Sequence, residues 1–281
     1  MKKIYLIKNP CLFQGEKNLK KNKNYFEGWY FKNIGLNDGI SFIPGISINE
    51  KEKRAFIQVI TKDSSYYVNY DINDFKFNEE PFYIKIDNNF FSKDVVFVDI
   101  KDNDQGLIIY GKIEYSNSRN IATNIMGPFS YVPFMECNHA IISMRCNVNG
   151  VISINNRKIK FYDDIGYIEK DWGCSFPQYY IWCQGNNFKK SDASFMISIA
   201  NIPFKIFHFK GVISSLIIDN KEYRFATYNG TKIIKYDVGS EYLDIILKRG
   251  HYYLNVQSKY SNTSKLIAPV DGKWKGIFLK V

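Results

Sequence analysis

Apolar and polar residues alternate with period two along most of this chain. In segment 54–60, Ala55, Ile57 and Val59 fall on one side, and 95–100, 107–115, 151–154 and 158–161 repeat the pattern. It returns at 193–200, 223–228, 231–236, 242–247 and 252–257. Successive side chains of an extended strand point to opposite faces, so each segment reads as a half-buried β-strand. Between the segments lie turn-forming pairs. Asn149-Gly150 and Asn229-Gly230 are predicted hairpins, because a tight type I′ turn needs two residues tolerant of positive φ. Asp38-Gly39, Asn155-Asn156, Asp219-Asn220, Arg249-Gly250 and Asp271-Gly272 are further turn candidates. Many short strands joined by tight turns predict an all-β barrel or sandwich, without parallel βαβ units or a long helix.

The 281 residues suffice for one large β domain or two smaller ones. Hydrophobic residues at 45% and aromatics at 17% exclude general disorder. The composition changes around 120–130, which divides the chain into expected halves 1–125 and 126–281. Segment 127–134, punctuated by Pro128 and Pro133, is expected to be extended. The net charge of +10 comes mainly from scattered lysines, with one run at 17–23 that reads as a solvated loop or short helical turn. No nucleic-acid-binding motif accompanies it. The five cysteines are odd in number and irregularly spaced, which argues against a disulfide framework. A short apolar start ending at Lys8-Asn9-Pro10, and the lack of an apolar run of about 18 residues, predict a cytoplasmic protein with free thiols.

Three segments mix aromatics, carboxylates and glycines more densely than a core requires. In 25–32, strand geometry puts Glu27 and Trp29 on one face with Tyr25 and Phe31. A carboxylate there is either paired with a base or has a raised pKa, and an edge strand with Glu27 meeting Lys32 or another lysine is the plainer alternative. In 135–139, Glu136 and Asn138 share one face, Cys137 and His139 the other. A Cys/His nucleophilic pair is conceivable on that pattern, but a satisfied, partly buried His139 is the better reading. His139, His208 and His251 show no paired metal-ligand spacing, so no metal site is expected. In 167–186, the first half, 167–177, reads as a loop or tight bend ending a strand, and in the second half Tyr180, Trp182, Gln184 and Asn186 alternate onto one face, which suits a pocket wall with a few fixed polar contacts. An aromatic core with amides at its edge is the plainer reading of the same pattern.

Taken together and in order, these blocks resemble the tocopherol cyclase family. The resemblance runs through Asn9-Pro10, Phe13-Gln14-Gly15 and 25–32, and is densest from Gly127-Pro128-Phe129-Ser130 through Phe134, Glu136, Cys137 and His139. It continues in 169–173, Ser175-Phe176-Pro177, Trp182, Gln184 and Asn186, and ends with Leu266, Ala268-Pro269 and Gly272. It implies two lipocalin-like β halves and closure of a prenylated hydroquinone to a chromanol, without a metal, cofactor or net redox change. It also implies a chain longer after the Ala-Pro and Gly element than the one ending at Val281, so a shortened C-terminus is expected.

Such a reaction needs an acid to protonate an alkene, aromatic faces to hold the tertiary cation, and a base near the capturing oxygen. Glu136 and Asp171 lead the candidate acids, followed by Glu27 and Glu169, with His139 as base or relay. Trp29, Phe134, Trp172, Tyr180 and Trp182 are candidate walls, and Gln184 and Asn186 candidate orienting amides. The resulting expectation is a cyclase or hydratase acting on a prenylated or polyene-like hydrophobic substrate. A bacterial composition rich in Lys, Asn and Ile points away from vitamin E as the product. A non-catalytic lipocalin-like carrier needs only an apolar pocket and is the second reading. Weak peripheral membrane contact through the lysines of 17–23 is the third.

Overall fold

A computed structural model of the chain describes residues 9–20, 23–132, 135–188, 192–204, 207–259, 263–267 and 275–279. The described residues form twenty strands and four short 3₁₀ turns, and no α-helix is found among them. The strands are β1 (Tyr25–Ile34), β2 (Gly39–Ile48), β3 (Lys53–Thr61), β4 (Ser65–Asp71), β5 (Phe75–Glu79), β6 (Phe82–Ile86) and β7 (Asn89–Ser92). Then come β8 (Val95–Asp102), β9 (Leu107–Arg119), β10 (Cys137–Ile154), β11 (Arg157–Gly173), β12 (Tyr180–Gly185), β13 (Ala193–Phe204), β14 (Phe207–Ile218) and β15 (Lys221–Ala226). The last five are β16 (Lys232–Val238), β17 (Tyr242–Arg249), β18 (Tyr252–Lys259), β19 (Thr263–Ile267) and β20 (Lys275–Leu279).

Eleven strands build one antiparallel sheet in the order β4-β3-β2-β1-β11-β10-β9-β8-β7-β6-β5. Its two end strands, β4 and β5, are joined by a single 3₁₀ turn, Ile72–Asp74, so the sheet curls back on itself. Every strand sends a side chain into one core: Phe31, Phe42, Ile57, Val68, Phe75, Ile84, Phe91, Val98, Ile109, Ile152 and Ile168 mark the eleven. The all-β expectation holds, and the large unit is a nearly closed barrel. Strands from both sides of position 125 enter this sheet, since β10 and β11 fill the gap between β1 and β9. A four-stranded sheet (β12-β13-β14-β15) packs between the barrel and a three-stranded sheet (β16-β17-β18). Met196 and Ile217 face barrel residues Tyr30, Ile141, Met144 and Tyr167, whereas Ile197 and Val212 face Leu243, Ile245 and Leu254. A separate hairpin pairs β19 with β20. No helix of the described residues is long and apolar enough to cross a membrane.

Several turn expectations hold. Asn155 and Asn156, at φ of 45° and 70°, join β10 to β11, and Asp219 and Asn220, at 48° and 63°, join β14 to β15. Others do not. Asn149-Gly150 lies inside β10, where the register with β11 slips between Val148 and Gly150. Gly150 (φ 142°) is needed there because a Cβ would stand 2.2 Å from the Lys112 carbonyl oxygen of β9. A bulge thus uses the same permissive chemistry as a hairpin. Asn229-Gly230 ends a 3₁₀ turn that leads from β15 into a different sheet, so it makes no hairpin. The expected extended segment begins instead as a 3₁₀ turn, Gly127–Tyr131, with Pro128 near its start, where a missing N–H costs nothing. Asp271-Gly272, Pro133 and Phe134 lie outside the described residues, as do Ala268 and Pro269.

Candidate functional site

Strand β11 continues to Gly173, through the stretch from Tyr167 expected to be a loop or tight bend, because both of its neighbours, β1 and β10, pair with it that far, and it carries chemistry on both of its faces. Even positions Ile168, Lys170 and Trp172 join the barrel interior, and odd positions Tyr167, Glu169 and Asp171 face the four-stranded sheet. Glu27 and Trp29 of β1 are register neighbours of Trp172 and Lys170, so they also point inward. β1 is central in the sheet rather than an edge strand.

On the inner face Glu27 and Lys170 form a fully buried ion pair at 2.6 Å. Glu27 also accepts the Tyr25 hydroxyl at 2.6 Å and the Gln14 amide at 2.9 and 3.1 Å. Lys170 donates to the carbonyls of Pro10 and Leu12 and lies 5.1 Å and 4.3 Å from the ring centres of Trp29 and Trp172. Burial pushes the Glu27 carboxyl up, against the opposing pull of Lys170 and the hydrogen bonds. This pair fastens the segment before β1 to the barrel, and Phe13, 1% exposed, is buried with it. Trp29 and Trp172 therefore flank a lysine in the core.

The outer face holds a different arrangement. His139 of β10 is paired in register with Asp171. Its Nδ1 lies 2.7 Å from Asp171 Oδ1, and its Nε2 lies 3.1 Å from Glu169 Oε2. The second contact has ion-pair distance but not hydrogen-bond alignment. Burial disfavours the imidazolium, but Asp171 and Glu169 together outweigh it and raise His139 to about 10. Burial likewise raises the Glu169 carboxyl, with His139 pulling the other way. Tyr167 donates its hydroxyl to Glu169 Oε2 at 2.5 Å, and Trp182 its indole N–H at 3.2 Å. These donors converge on Oε2, and Oε1 accepts neither. Asp171 is the outward end of the chain, its side chain 32% exposed against 7% for His139 and 5% for Glu169.

Aromatic rings border this chain of groups. Tyr30 meets Trp182 edge-to-face at 5.7 Å and Tyr167 at 6.4 Å. Near Asp171, Tyr180 stacks on Phe176, which stacks on Phe26. Trp182, Gln184 and Asn186 all reach β1 or β11 and so share a face, as their alternation predicts, whereas the meeting of that face with β11 is set by the tertiary structure. Gln184 accepts from Lys32 at 2.7 Å, and Asn186 donates to the Gly166 carbonyl at 2.9 Å. Gln184 Nε2 and Asn186 Oδ1 are buried without a hydrogen-bond partner.

The fold therefore gathers His139, Glu169, Asp171, Tyr180, Trp182 and Gln184 on the outer face and assigns Glu27, Trp29 and Trp172 to the barrel interior. Glu136 precedes β10, half-buried, and its carbonyl oxygen accepts the amides of Cys174 and Ser175 in the turn that follows β11. The hydrogen bonds of Cys137 Sγ run to the Asn138 carbonyl and, at 3.9 Å, to Asp171 Oδ1 rather than to His139. Burial raises the Cys137 thiol well above its ordinary value, which does not suit a thiolate nucleophile. Phe134 lies outside the described residues. Sequence reasoning gives no role to Tyr30, Tyr167 or Lys170, and it considers Lys32 only as a partner for Glu27, which pairs with Lys170 instead. Tyr167 comes within its reach once 167–173 is read as strand, because alternation from Glu169 then puts it on the same face.

Spacing along the chain gives no sign of a metal site, yet donor atoms of His139, Glu169 and Asp171 all lie within 4.8 Å of one another, a set that could hold an ion. Both ring nitrogens already face carboxylate oxygens directly, at 2.7 and 3.1 Å, so no ion lies between them in this arrangement.

Residues 107–232 match the model of a family described as tocopherol cyclase-like. This stretch contains the densest blocks of the resemblance read from the sequence, including every member of the outer-face chain. No curated protein matches. Among solved structures, a protein of Nitrosomonas europaea provisionally named AttH aligns at 10% identity and a TM-score of 0.46, covering 83% of this chain and 78% of that one. Kievitone hydratase from Nectria haematococca aligns at 10% identity and 0.48, covering 88% and 79%.

Proposed function

We propose, from a tocopherol cyclase-like region spanning residues 107–232, that this chain catalyses proton-initiated addition to a carbon–carbon double bond of a hydrophobic substrate. The substrate class is a prenylated hydroquinone or polyene-like molecule, and the addition is closure by its own oxygen or capture of water. One observation carries this reading: the hydrogen-bonded and ion-paired series Asp171–His139–Glu169 runs from a partly exposed carboxylate to a buried one beside aromatic rings.

Glu169 is the acid. Burial favours its protonated form against the pull of His139 and Tyr167, the donors on Oε2 leave the proton to Oε1, and in that form Asp171 alone is the counter-charge of the His139 imidazolium. Transfer to the alkene leaves a tertiary cation and a Glu169 carboxylate that Tyr167 and Trp182 stabilise. The faces of Tyr30 and Trp182 favour the cation by roughly 0.5–2 kcal/mol per ring. Oxygen then bonds to the cationic carbon and loses a proton. That proton returns to Glu169 directly or through Asp171 and His139. Glu136 and Asp171 rank below Glu169 because neither combines burial with contacts to aromatic donors.

The test is incubation with prenylated hydroquinones in deuterium oxide. Cyclisation should give a product isomeric with the substrate that carries one non-exchangeable deuterium, seen as a one-dalton mass increase. Glu169→Gln should abolish it while the far-ultraviolet circular dichroism stays that of wild type. Tight binding without turnover in the wild type would replace this reading with that of a carrier.

A further inference from the structure

Lys32 and Gln184 meet on the same side of the sheets as the Asp171–His139–Glu169 series. Lys32 lies two residues beyond Tyr30 on β1, within electrostatic reach of Cys183 and Glu169. Gln184 lies two residues beyond Trp182 on β12, whose indole donates to Glu169. Lys32 Nζ donates to Gln184 Oε1 at 2.7 Å, which orients the amide. The opposite end of that amide, Nε2, is buried and without an acceptor, in a side chain only 3% exposed. An ammonium can make three hydrogen bonds and an amide nitrogen two, so the pair has donors to spare beside the acid. Buried donors left without acceptors are costly, and where they persist a ligand group is a natural partner.

We propose that Lys32 Nζ and Gln184 Nε2 form an oxygen-recognition subsite that takes the acidic oxygen of an amphiphilic substrate, a phenol or a carboxylic acid, while its alkene lies at Glu169. This rests on the proton-addition reading above and deepens it by naming what the substrate must carry. Burial lowers the Lys32 ammonium to about 8, against the opposing influence of Cys183 and Glu169. An ammonium so placed gains by pairing with an oxyanion. The subsite also supplies a reason for the amide at 184, because an apolar side chain could neither accept from Lys32 nor donate to the ligand.

The experiment uses three probes with equal chains, 4-nonylphenol, decanoate and nonylbenzene, with binding followed by tryptophan fluorescence. Wild type should bind the phenol or the acid at least about tenfold more tightly than nonylbenzene, and the order of the two oxygen probes identifies the source. Lys32→Met and Gln184→Leu should each reduce that preference about fivefold or more and leave nonylbenzene binding unchanged. If Lys32→Met does not fold, Lys32→Arg, which keeps donors, should retain most of the preference that Gln184→Leu loses. Equal binding of all three probes, no binding of any, or a preference that survives the substitutions overturns the subsite. Glu169→Gln should keep the oxygen preference while losing turnover. Loss of the subsite would therefore leave the proton-addition reading standing, and loss of turnover chemistry would leave the subsite standing.

Discussion

Removing one partner of the Glu27–Lys170 pair should destabilise the barrel with a pH dependence whose sign depends on which partner is removed. Both side chains are 0% exposed. In Lys170→Met the surviving carboxylate loses its counter-charge, and it escapes the cost of burial by taking up a proton. From its reference pKa of 4.5, protonation at pH 7 costs about 3.4 kcal/mol, which caps the charge penalty. Between pH 4.5 and the raised pKa of the variant, the folded state holds a proton that the unfolded state has released. Above the wild-type carboxyl's own raised pKa, stability relative to wild type therefore falls by about 1.4 kcal/mol per unit as pH rises, so the charge part of the deficit is smallest at pH 5. In Glu27→Gln the surviving ammonium escapes by losing a proton. From a reference near 10.4 that cap is about 4.6 kcal/mol at pH 7, and the deficit shrinks as pH rises. The carbonyls of Pro10 and Leu12 still hold that ammonium, so the observed cost should fall below its cap. The double variant Glu27→Leu/Lys170→Met should be less destabilised than the sum of the singles. Urea unfolding at pH 5, 7 and 9 measures all of this. Parallel pH slopes for the two single variants, or deficits below about 0.5 kcal/mol at pH 7, would refute the reasoning.

His139 should remain protonated through pH 8, visible as an imidazolium in ¹⁵N spectra, and Asp171→Asn should move its titration downward. Because its folded pKa of about 10 lies above the unfolded 6.5, its contribution to stability is complete below 6.5 and is lost as pH rises toward 10. His139→Gln should consequently cost more at pH 6 than at pH 10 in the same unfolding assay. Gly150→Ala should destabilise the barrel by about 1–3 kcal/mol, read from thermal unfolding, because its Cβ would meet a β9 carbonyl at 2.2 Å. A smaller loss would mean that the β10 bulge can relax away from β9.

Much of the candidate site is legible in the amino-acid sequence. Alternation along 180–186 predicts that Tyr180, Trp182, Gln184 and Asn186 share a face, but 167–177 reads as a loop or tight bend, so the strand faces of Glu169 and Asp171 are not predicted. Which pairs of faces meet is not legible there. His139 lies 30 and 32 positions from its carboxylate partners, and only the antiparallel register of β10 on β11 sets it opposite Asp171. Glu27 looks as suitable an acid as Glu169, because local pattern does not disclose a lysine 143 positions away. Lys170 is hidden in the same motif that draws attention to its neighbours, one residue out of phase with them. Asn149-Gly150 misleads for a related reason. Permissive backbone chemistry is common to hairpins and bulges, and the choice between them belongs to the partner strands.

By itself, then, the sequence determined that the chain is built of antiparallel strands, which residues of each predicted strand share a side, and which family its densest blocks resemble. These are local properties, set by side-chain period, β-branching and turn chemistry. The tertiary structure alone decided that β11 sits between β1 and β10, with one face in the barrel core and the other against β12. That placement makes one buried carboxylate a partner for lysine and another a partner for histidine. The difference arises because strand neighbours in space are set by the global burial of apolar surface, which no short window of residues contains.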